Sequence, residues 1–214
     1  RKRFRKGDLV QIRFHSGALR LAEILHRKLI AKGLQPILRL ARTVDMESSF
    51  YHLASRRQLT FIPPGEEHLS QRLNGSIFLN APESLTHLRT AAPERIAVAA
   101  LAAHPLRTLL ETREACGEYA WTLCMLPTPA LAHHAGLSLA QYTRQVVNAC
   151  FLEAAEPVSE WQRIHRRAGM IKRWLDRLPV VCFQVESTST DLIIPLGAQR
   201  RWAGSTRRPW RSSG

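Results

Sequence analysis

Residues 8–40, DLVQIRFHSGALRLAEILHRKLIAKGLQPILRL, decide the fold of this chain. Residues 8–14 are a short run containing valine, isoleucine and phenylalanine, which is typical of a strand. A helix is predicted next, from apolar residues that recur at helical spacing: Leu21, Ala22, Leu25 and Leu29. Gly33 ends that helix, and residues 35–40 form a second strand. The stretch therefore predicts a β-α-β unit with parallel strands.

Strands and helices continue to alternate along the rest of the chain. Further strands are predicted at 75–81, 119–126, 180–186 and 191–196. Helices are predicted at 45–57, 66–73, 93–102, 106–115, 131–135, 139–152 and 158–177, with a break at His104-Pro105. This alternation is typical of a parallel sheet covered on both faces. We therefore predict an α/β fold, a three-layer sandwich with a mostly parallel sheet and a closing antiparallel hairpin.

Length and composition indicate one domain with a short appendage, since the chain has 214 residues. Residues 1–202 are expected to form the domain and 203–214 an exposed or disordered basic tail. No apolar run is long enough to cross a bilayer, and no signal-peptide core follows the N-terminus, so no membrane partner is expected. Four dispersed cysteines without a CxxC pair exclude a thiolate zinc site and indicate buried thiols in a reduced, cytoplasmic protein: Cys116, Cys124, Cys150 and Cys182.

The formal net charge of +14 is of the size seen in nucleic-acid-binding proteins. However, residues 1–6 and 200–214 each carry five positive charges and no acid, so the body between them is nearly balanced. Blocks of like charge are usually solvated tails. We therefore do not expect nucleic acid as a partner. A basic nucleic-acid-binding protein and a stand-alone binding module remain the alternative functions.

The sequence lacks a complete active-site motif. It contains no GxGxxG after the first strand, no GxxxxGK[ST], no HExxH and no GxSxG. His133 and His134 are adjacent, so on a helix they point about 100° apart and would not chelate one ion. Cys124 lies within an apolar strand and is predicted to be a core thiol. No catalytic, cofactor-binding or metal-ligating residue is therefore assigned, and Thr190 and Asp191 either fix the hairpin turn or line a neighbouring cleft.

Several short motifs, spread in order over nearly the whole chain, carry a family resemblance. They are Lys6-Gly7-Asp8, Trp121-Thr122-Leu123, Leu126-Pro127-Thr128, Ala135-Gly136-Leu137-Ser138, Asn148-Ala149-Cys150, Glu156-Pro157-Val158, Thr190-Asp191-Leu192 and Arg201-Trp202. In their order and spacing the chain resembles the thermophilic, dinuclear-metal aminopeptidases of the aminopeptidase T and aminopeptidase S type. It departs from that pattern at Glu156, where most members have aspartate.

The resemblance implies that the chain is the non-catalytic N-terminal domain of a metal-dependent aminopeptidase, an enzyme that removes N-terminal amino acids from peptides. In that family the metal ligands lie in a following domain, and their first motif is not found after Arg201-Trp202. The chain is accordingly expected to be truncated before the catalytic domain and inactive alone. Two divalent metal ions, zinc, cobalt or similar, are expected in the full-length family and none within this chain.

The resemblance also implies partners and a site. The partners are the missing C-terminal catalytic domain, peptides in the full-length enzyme, and a second copy of the chain in a homo-oligomer. Sites in parallel α/β sheets lie at the carboxyl ends of strands, so loops 127–134 and 187–191 are expected to border the cleft. Thr190 and Asp191 would line it.

Overall fold

The computed structural model of the protein describes residues 3–197. These residues divide into two compact units, the first ending at Val147 and the second beginning at Asn148. The basic tail expected over 203–214 lies outside the described residues, as does the Arg201-Trp202 motif. No helix in the described part of the chain is both long enough and apolar enough to span a membrane.

The first unit is built on a four-stranded parallel sheet with strand order β2-β1-β3-β4. Its strands are β1 (Leu9–Phe14), β2 (Gln35–Leu40), β3 (Gly75–Asn80) and β4 (Ala120–Met125). All four lie within a residue or so of the positions predicted from the sequence. In the register, Ile12 at the centre of β1 lies opposite Leu38 of β2 and Ile77 of β3.

Helices connect the strands. They are α1 (Leu19–Ala31), α2 (Val44–Leu53), α3 (Arg56–Leu59), α4 (Glu66–Arg72), α5 (Pro93–Ala115), α6 (Pro129–His134), α7 (Leu139–Ala149) and α8 (Pro157–Arg177), with a 3-10 turn at Ser16–Ala18 before α1. Side-chain oxygens begin two of them: the Thr43 hydroxyl accepts from the Met46 N–H, and the Thr128 hydroxyl accepts from the Leu131 N–H. These caps satisfy backbone donors that have no partner within the first helical turn.

The structure corrects two helix predictions. The single helix expected over 45–57 is two helices, because Ser55 begins α3 as an N-cap and exchanges hydrogen bonds with Gln58. The break expected at His104-Pro105 is wrong, since α5 continues through the proline. Proline removes the bond to the carbonyl four residues earlier. That carbonyl belongs to Leu101, which is exposed like Pro105, so water can replace the lost donor.

Helices cover both faces of the sheet, which confirms the α/β sandwich. One face packs against α1 and forms the core, whose buried members are Ile12, Phe14, Ala18, Ala22, Leu79 and Ala81. Successive residues of a strand point to opposite faces, so Gln11 belongs to the other face. Its register neighbours there are Ser76 and, beyond it, Trp121. These three residues line a cavity together with α4 and α5.

β4 is an edge strand with a largely exposed apolar sequence. Among the described residues it pairs with β3 alone, and Trp121, Leu123 and Met125 are all exposed. The prediction of a core thiol at Cys124 is therefore wrong, because a strand with a neighbour on only one side is less covered than its apolar sequence suggests. The other cysteines also depart from the expected burial: Cys116 and Cys182 are exposed and Cys150 is half-buried.

The second unit contains α8 and the predicted antiparallel hairpin. Its strands are β5 (Cys182–Ser187) and β6 (Thr190–Pro195), which form a separate two-stranded sheet. Thr188 and Ser189 make the turn, and the Ser189 N–H donates to the Ser187 hydroxyl over 3.3 Å. The hairpin is confirmed, with a turn of two residues.

Candidate functional site

The carboxyl ends of β1, β2 and β3 meet at one edge of the parallel sheet. β2 lies on one side of β1 and β3 on the other, so the crossovers from β1 to β2 and from β2 to β3 run in opposite directions across the sheet. Such a switch point is where open α/β sheets usually bind ligands. A small cavity of about 40 Å³ opens there, bordered by side chains that include His15, Arg42, Glu47, Glu83 and His87.

Hydrogen bonds already engage the polar groups of this edge. The Ser16 hydroxyl donates to Glu83 Oε1 over 2.7 Å, which joins the end of β1 to the segment after β3. His87 Nε2 lies 2.8 Å from Glu47 Oε2. With that nitrogen donating to the carboxylate, Nδ1 of His87 is the acceptor, and it is buried without a partner among the described residues.

A hydrogen bond to His15 links the end of β1 to the end of β3. Its Nδ1 accepts the backbone N–H of Ala81 over 3.0 Å, so this nitrogen carries no proton in the folded state. Burial lowers the pKa of His15, and the positive charge of Arg13 lowers it further, while Glu47 and Glu83 act in the opposite direction. The imidazole is therefore neutral at neutral pH and acts as a structural acceptor.

We expect the His15 contact to make stability depend on pH. A histidine whose pKa is lowered by folding resists protonation only in the native state. The free energy of unfolding should therefore fall as pH drops below about 6.5, the ordinary histidine value, and level off below the lowered pKa. His15→Asn keeps an acceptor and removes the titration. Urea unfolding from pH 8 to 5 should show a flatter profile for this variant than for the parent.

His68→Asn is the matched control for this prediction, because His68 is exposed on α4. Its pH profile should follow that of the parent protein. A His15→Asn profile as steep as the parent's would contradict the assigned role of His15.

The arrangement does not assemble a nucleophile with its base. Ser16 donates to a carboxylate, Glu83, whereas the imidazole of His87 is engaged with Glu47. Activation of serine for attack requires a hydrogen bond from its hydroxyl to a general base such as histidine. The described residues of this edge therefore form two separate pairs, Ser16–Glu83 and Glu47–His87, which link segments of the first unit. They do not form a serine–histidine–acid catalytic arrangement.

The residues nominated from sequence lie elsewhere. Thr190 and Asp191 are the first residues of β6 in the second unit, exposed, and opposite Ser187 and Glu186. They lie outside the two-residue turn. In segment 127–134, α6 follows the end of β4 directly, and His133 and His134 are both exposed on it.

The pairs at His15, Ser16, Glu47, Glu83 and His87 were missed by the sequence analysis. Part of the signal was present, because His15-Ser16 directly follows the predicted strand 8–14 and Glu83 comes two residues after the predicted strand 75–81. Glu47 and His87 come from a helix and a long connection, so only the folded chain shows that they meet.

Comparison with known proteins supplies the family. A sequence model of the thermophilic metalloprotease (M29) family matches residues 1–210. The chain belongs to the M29 family. This confirms the resemblance drawn from the motifs. No curated protein matches the chain significantly.

A solved structure shares the fold. Wild-type AmpT from Thermus thermophilus superimposes with a TM-score of 0.68 at 18% sequence identity. The match covers 90% of this chain and 49% of that chain, so this chain spans about half the length of AmpT. The fold of this chain is thus that of about half of the AmpT chain.

The described residues do not fit the divalent metal centre that an M29 metalloprotease implies. Within residues 3–197, no three histidine, cysteine, aspartate or glutamate side chains are grouped so that they could hold a metal ion. At the carboxyl edge of the sheet, His87 and Glu47 contact each other, Glu83 accepts from Ser16, and His15 accepts from the Ala81 N–H. No metal-dependent step is therefore assigned to these side chains.

Proposed function

We propose that this chain serves as the non-catalytic N-terminal domain of an M29 metal-dependent aminopeptidase. The enzyme would remove N-terminal amino acids from peptides in the cytoplasm. The supporting observation is the combination of an M29 match over residues 1–210 with a structural match to about half of AmpT. The two divalent ions that activate water in such enzymes would be held by side chains outside residues 3–197.

The domain would shape access to the active site. Loop 127–134 follows the carboxyl end of β4, which is the edge where parallel sheets place their sites. We infer that this loop borders the cleft and that 187–191, with Thr190 and Asp191, lines it. Exposed Trp121 and Leu123 on β4 offer an apolar surface for the partner domain or a second copy of the chain to cover.

The proposal predicts that the purified chain of residues 1–214 is inactive. We expect no release of nitroaniline from aminoacyl-nitroanilide substrates with added cobalt or zinc, because the described residues provide no group of metal ligands. Calorimetric titration with the same ions should show no tight binding. A zinc aminopeptidase of known activity serves as the positive control for the assay.

Metal-stimulated turnover that persists through further purification, and is removed by a chelator, would overturn the proposal. In that case Glu47→Gln would show whether the carboxyl edge of the sheet is responsible. Supplying the remaining part of a full-length M29 relative in the same chain is expected to restore metal binding and turnover together.

A further inference from the structure

A second, larger cavity lies on the face of the sheet opposite α1. Its volume is about 510 Å³, within the range of small-molecule sites. The sheet supplies its floor through Gln11, Ser76 and Trp121, and α4 and α5 supply its walls. It is distinct from the carboxyl edge described above, and apart from Trp121 the proposed aminopeptidase function assigns no role to the residues that line it.

Buried and half-buried polar contacts fix the walls of this cavity. Arg39 of β2 forms a bidentate ion pair with Glu66 of α4. The two guanidinium nitrogens lie 3.0 and 2.7 Å from the two carboxylate oxygens. Arg113 of α5 donates to the backbone carbonyls of Ser70 and Leu73, over 2.8 and 2.6 Å. These contacts join α4 to the sheet and to α5. They therefore fix the positions of the elements that surround the cavity.

Aliphatic side chains form part of the cavity lining: Leu69 of α4, Leu73 directly after α4, and Leu106 and Leu110 of α5. Tyr119 is buried beside them, and burial raises the pKa of its phenol, which therefore stays neutral at neutral pH. An apolar side chain of a ligand would bury favourably against these leucines.

Two opposite charges border this apolar space. Arg107 and Glu111 both line the cavity and lie one turn apart on α5, which places their Cβ atoms about 5–6 Å from each other. In the described part of the chain, neither side chain forms an ion pair or a hydrogen bond, with each other or with any other residue. Gln11, on the floor, likewise has no side-chain hydrogen bond among residues 3–197.

We propose that this cavity binds a zwitterion with an apolar side chain, either a free amino acid or a short peptide. The guanidinium of Arg107 would take the carboxylate in a two-pronged contact, and Glu111 would take the ammonium. The leucines would hold the apolar side chain, and Gln11 would pair with the amide of a peptide.

The charge pattern favours a zwitterion over a simple ion. An anion held by Arg107 would have the like charge of Glu111 one turn away, and a cation held by Glu111 would have Arg107 beside it. A ligand that carries both an ammonium and a carboxylate can satisfy the two side chains at once. An ion pair between exposed side chains is weak in any case, so an Arg107–Glu111 contact would not compete strongly with a ligand.

Isothermal titration calorimetry with L-leucine and L-leucyl-L-leucine tests the proposal. L-leucinamide lacks the carboxylate and 4-methylpentanoate lacks the ammonium, so each should bind at least about tenfold more weakly than L-leucine. Arg107→Gln should weaken L-leucine at least tenfold without weakening L-leucinamide, whose cation no longer lies beside a like charge. Glu111→Gln should weaken L-leucine without weakening 4-methylpentanoate, for the same reason with the signs reversed.

Matched variants control for general effects of charge. Arg72→Gln at the end of α4 and Glu94→Gln at the start of α5 do not line the cavity and should bind L-leucine like the parent. Far-ultraviolet circular dichroism of each variant checks that the fold is kept.

Tighter binding of the dipeptide than of L-leucine, with Gln11→Leu weakening the binding of the dipeptide alone, would identify the ligand class as peptide. Tighter binding of L-leucine would identify it as the free amino acid.

Tryptophan fluorescence locates the ligand independently. Trp121 borders the cavity, and its indole N–H is already donated to Glu114 over 3.0 Å. L-leucine should change the fluorescence of the parent, and Trp121→Phe should abolish that change while calorimetric binding persists.

The proposal is overturned if L-leucine and its two single-charge analogues bind equally, if none binds at about 1 mM, or if the fluorescence change survives in Trp121→Phe. None of these readouts involves metal or turnover, so their failure is distinguishable from failure of the proposed aminopeptidase role.

Discussion

Leu79→Ala is expected to lower the free energy of unfolding by about 2–5 kcal/mol. Leu79 is only 1% exposed near the carboxyl end of β3, where it packs in the cluster with Ile12 and Phe14 against α1. Truncation removes buried methyl groups and leaves a cavity that the surrounding strands can only partly close. Urea unfolding followed by far-ultraviolet circular dichroism measures the loss.

The matched control for Leu79 is Leu53→Ala. Leu53 ends α2 and is 81% exposed, so the same change of side chain removes almost no buried surface. Its effect should stay within about 0.5 kcal/mol. Equal losses from the two variants would show that the α1 face of the sheet is not the core of the first unit.

The sheet was predictable because its sequence signals are local. Residues 8–40 contain two strands and the helix between them, and the observed β1, α1 and β2 follow that order with shifts of a residue or two. Gly33 adopts a positive φ of 73° after α1, which is the conformation expected of a helix-ending glycine. The hairpin was likewise marked by two β-rich runs with small polar residues between them.

Burial in β4 was not predictable in the same way. Its apolar sequence, AWTLCM, is compatible with a central strand, but strand order places it at the edge of the described sheet. Strand order depends on which side of the sheet each crossover takes, and the composition of a strand does not record that choice. The exposed thiol of Cys124 is the direct consequence.

The sites required contacts between distant residues. Thr190 and Asp191 stood out as neighbours in the sequence, whereas the His87–Glu47 pair joins residues 40 positions apart. The large cavity is lined by α4, α5 and all four strands of the parallel sheet, and Arg107 and Glu111 alone have the spacing of an ordinary solvated ion pair. Only packing shows that they border an apolar space.

Arg113→Ala is expected to destabilise the first unit by about 3–4 kcal/mol, because two carbonyls lose a charged donor. Arg113 is 13% exposed, and its guanidinium bonds the carbonyls of Ser70 and Leu73 at the end of α4. No helical N–H replaces it at Ser70, since the N–H of Asn74, four residues on, donates to Leu9 of β1 instead. A helix end left with buried, unpaired carbonyls is costly. Thermal and urea unfolding of the variant measure the loss.

Glu118→Ala separates the carbonyl contacts of Arg113 from its ion pair. Glu118 lies 3.3 Å from Nε of Arg113 but is 62% exposed, so solvent screens the pair and its loss should cost less than about 1 kcal/mol. Arg113→Lys retains a charge and a donor without the fixed fork, so its stability should lie between those of the parent and of Arg113→Ala. If Glu118→Ala is as destabilising as Arg113→Ala, the stabilising contact of Arg113 is its ion pair with Glu118 and not the capping of α4. Because these helices wall the large cavity, Arg113→Ala should also weaken L-leucine binding there, whereas Glu118→Ala should leave that binding intact.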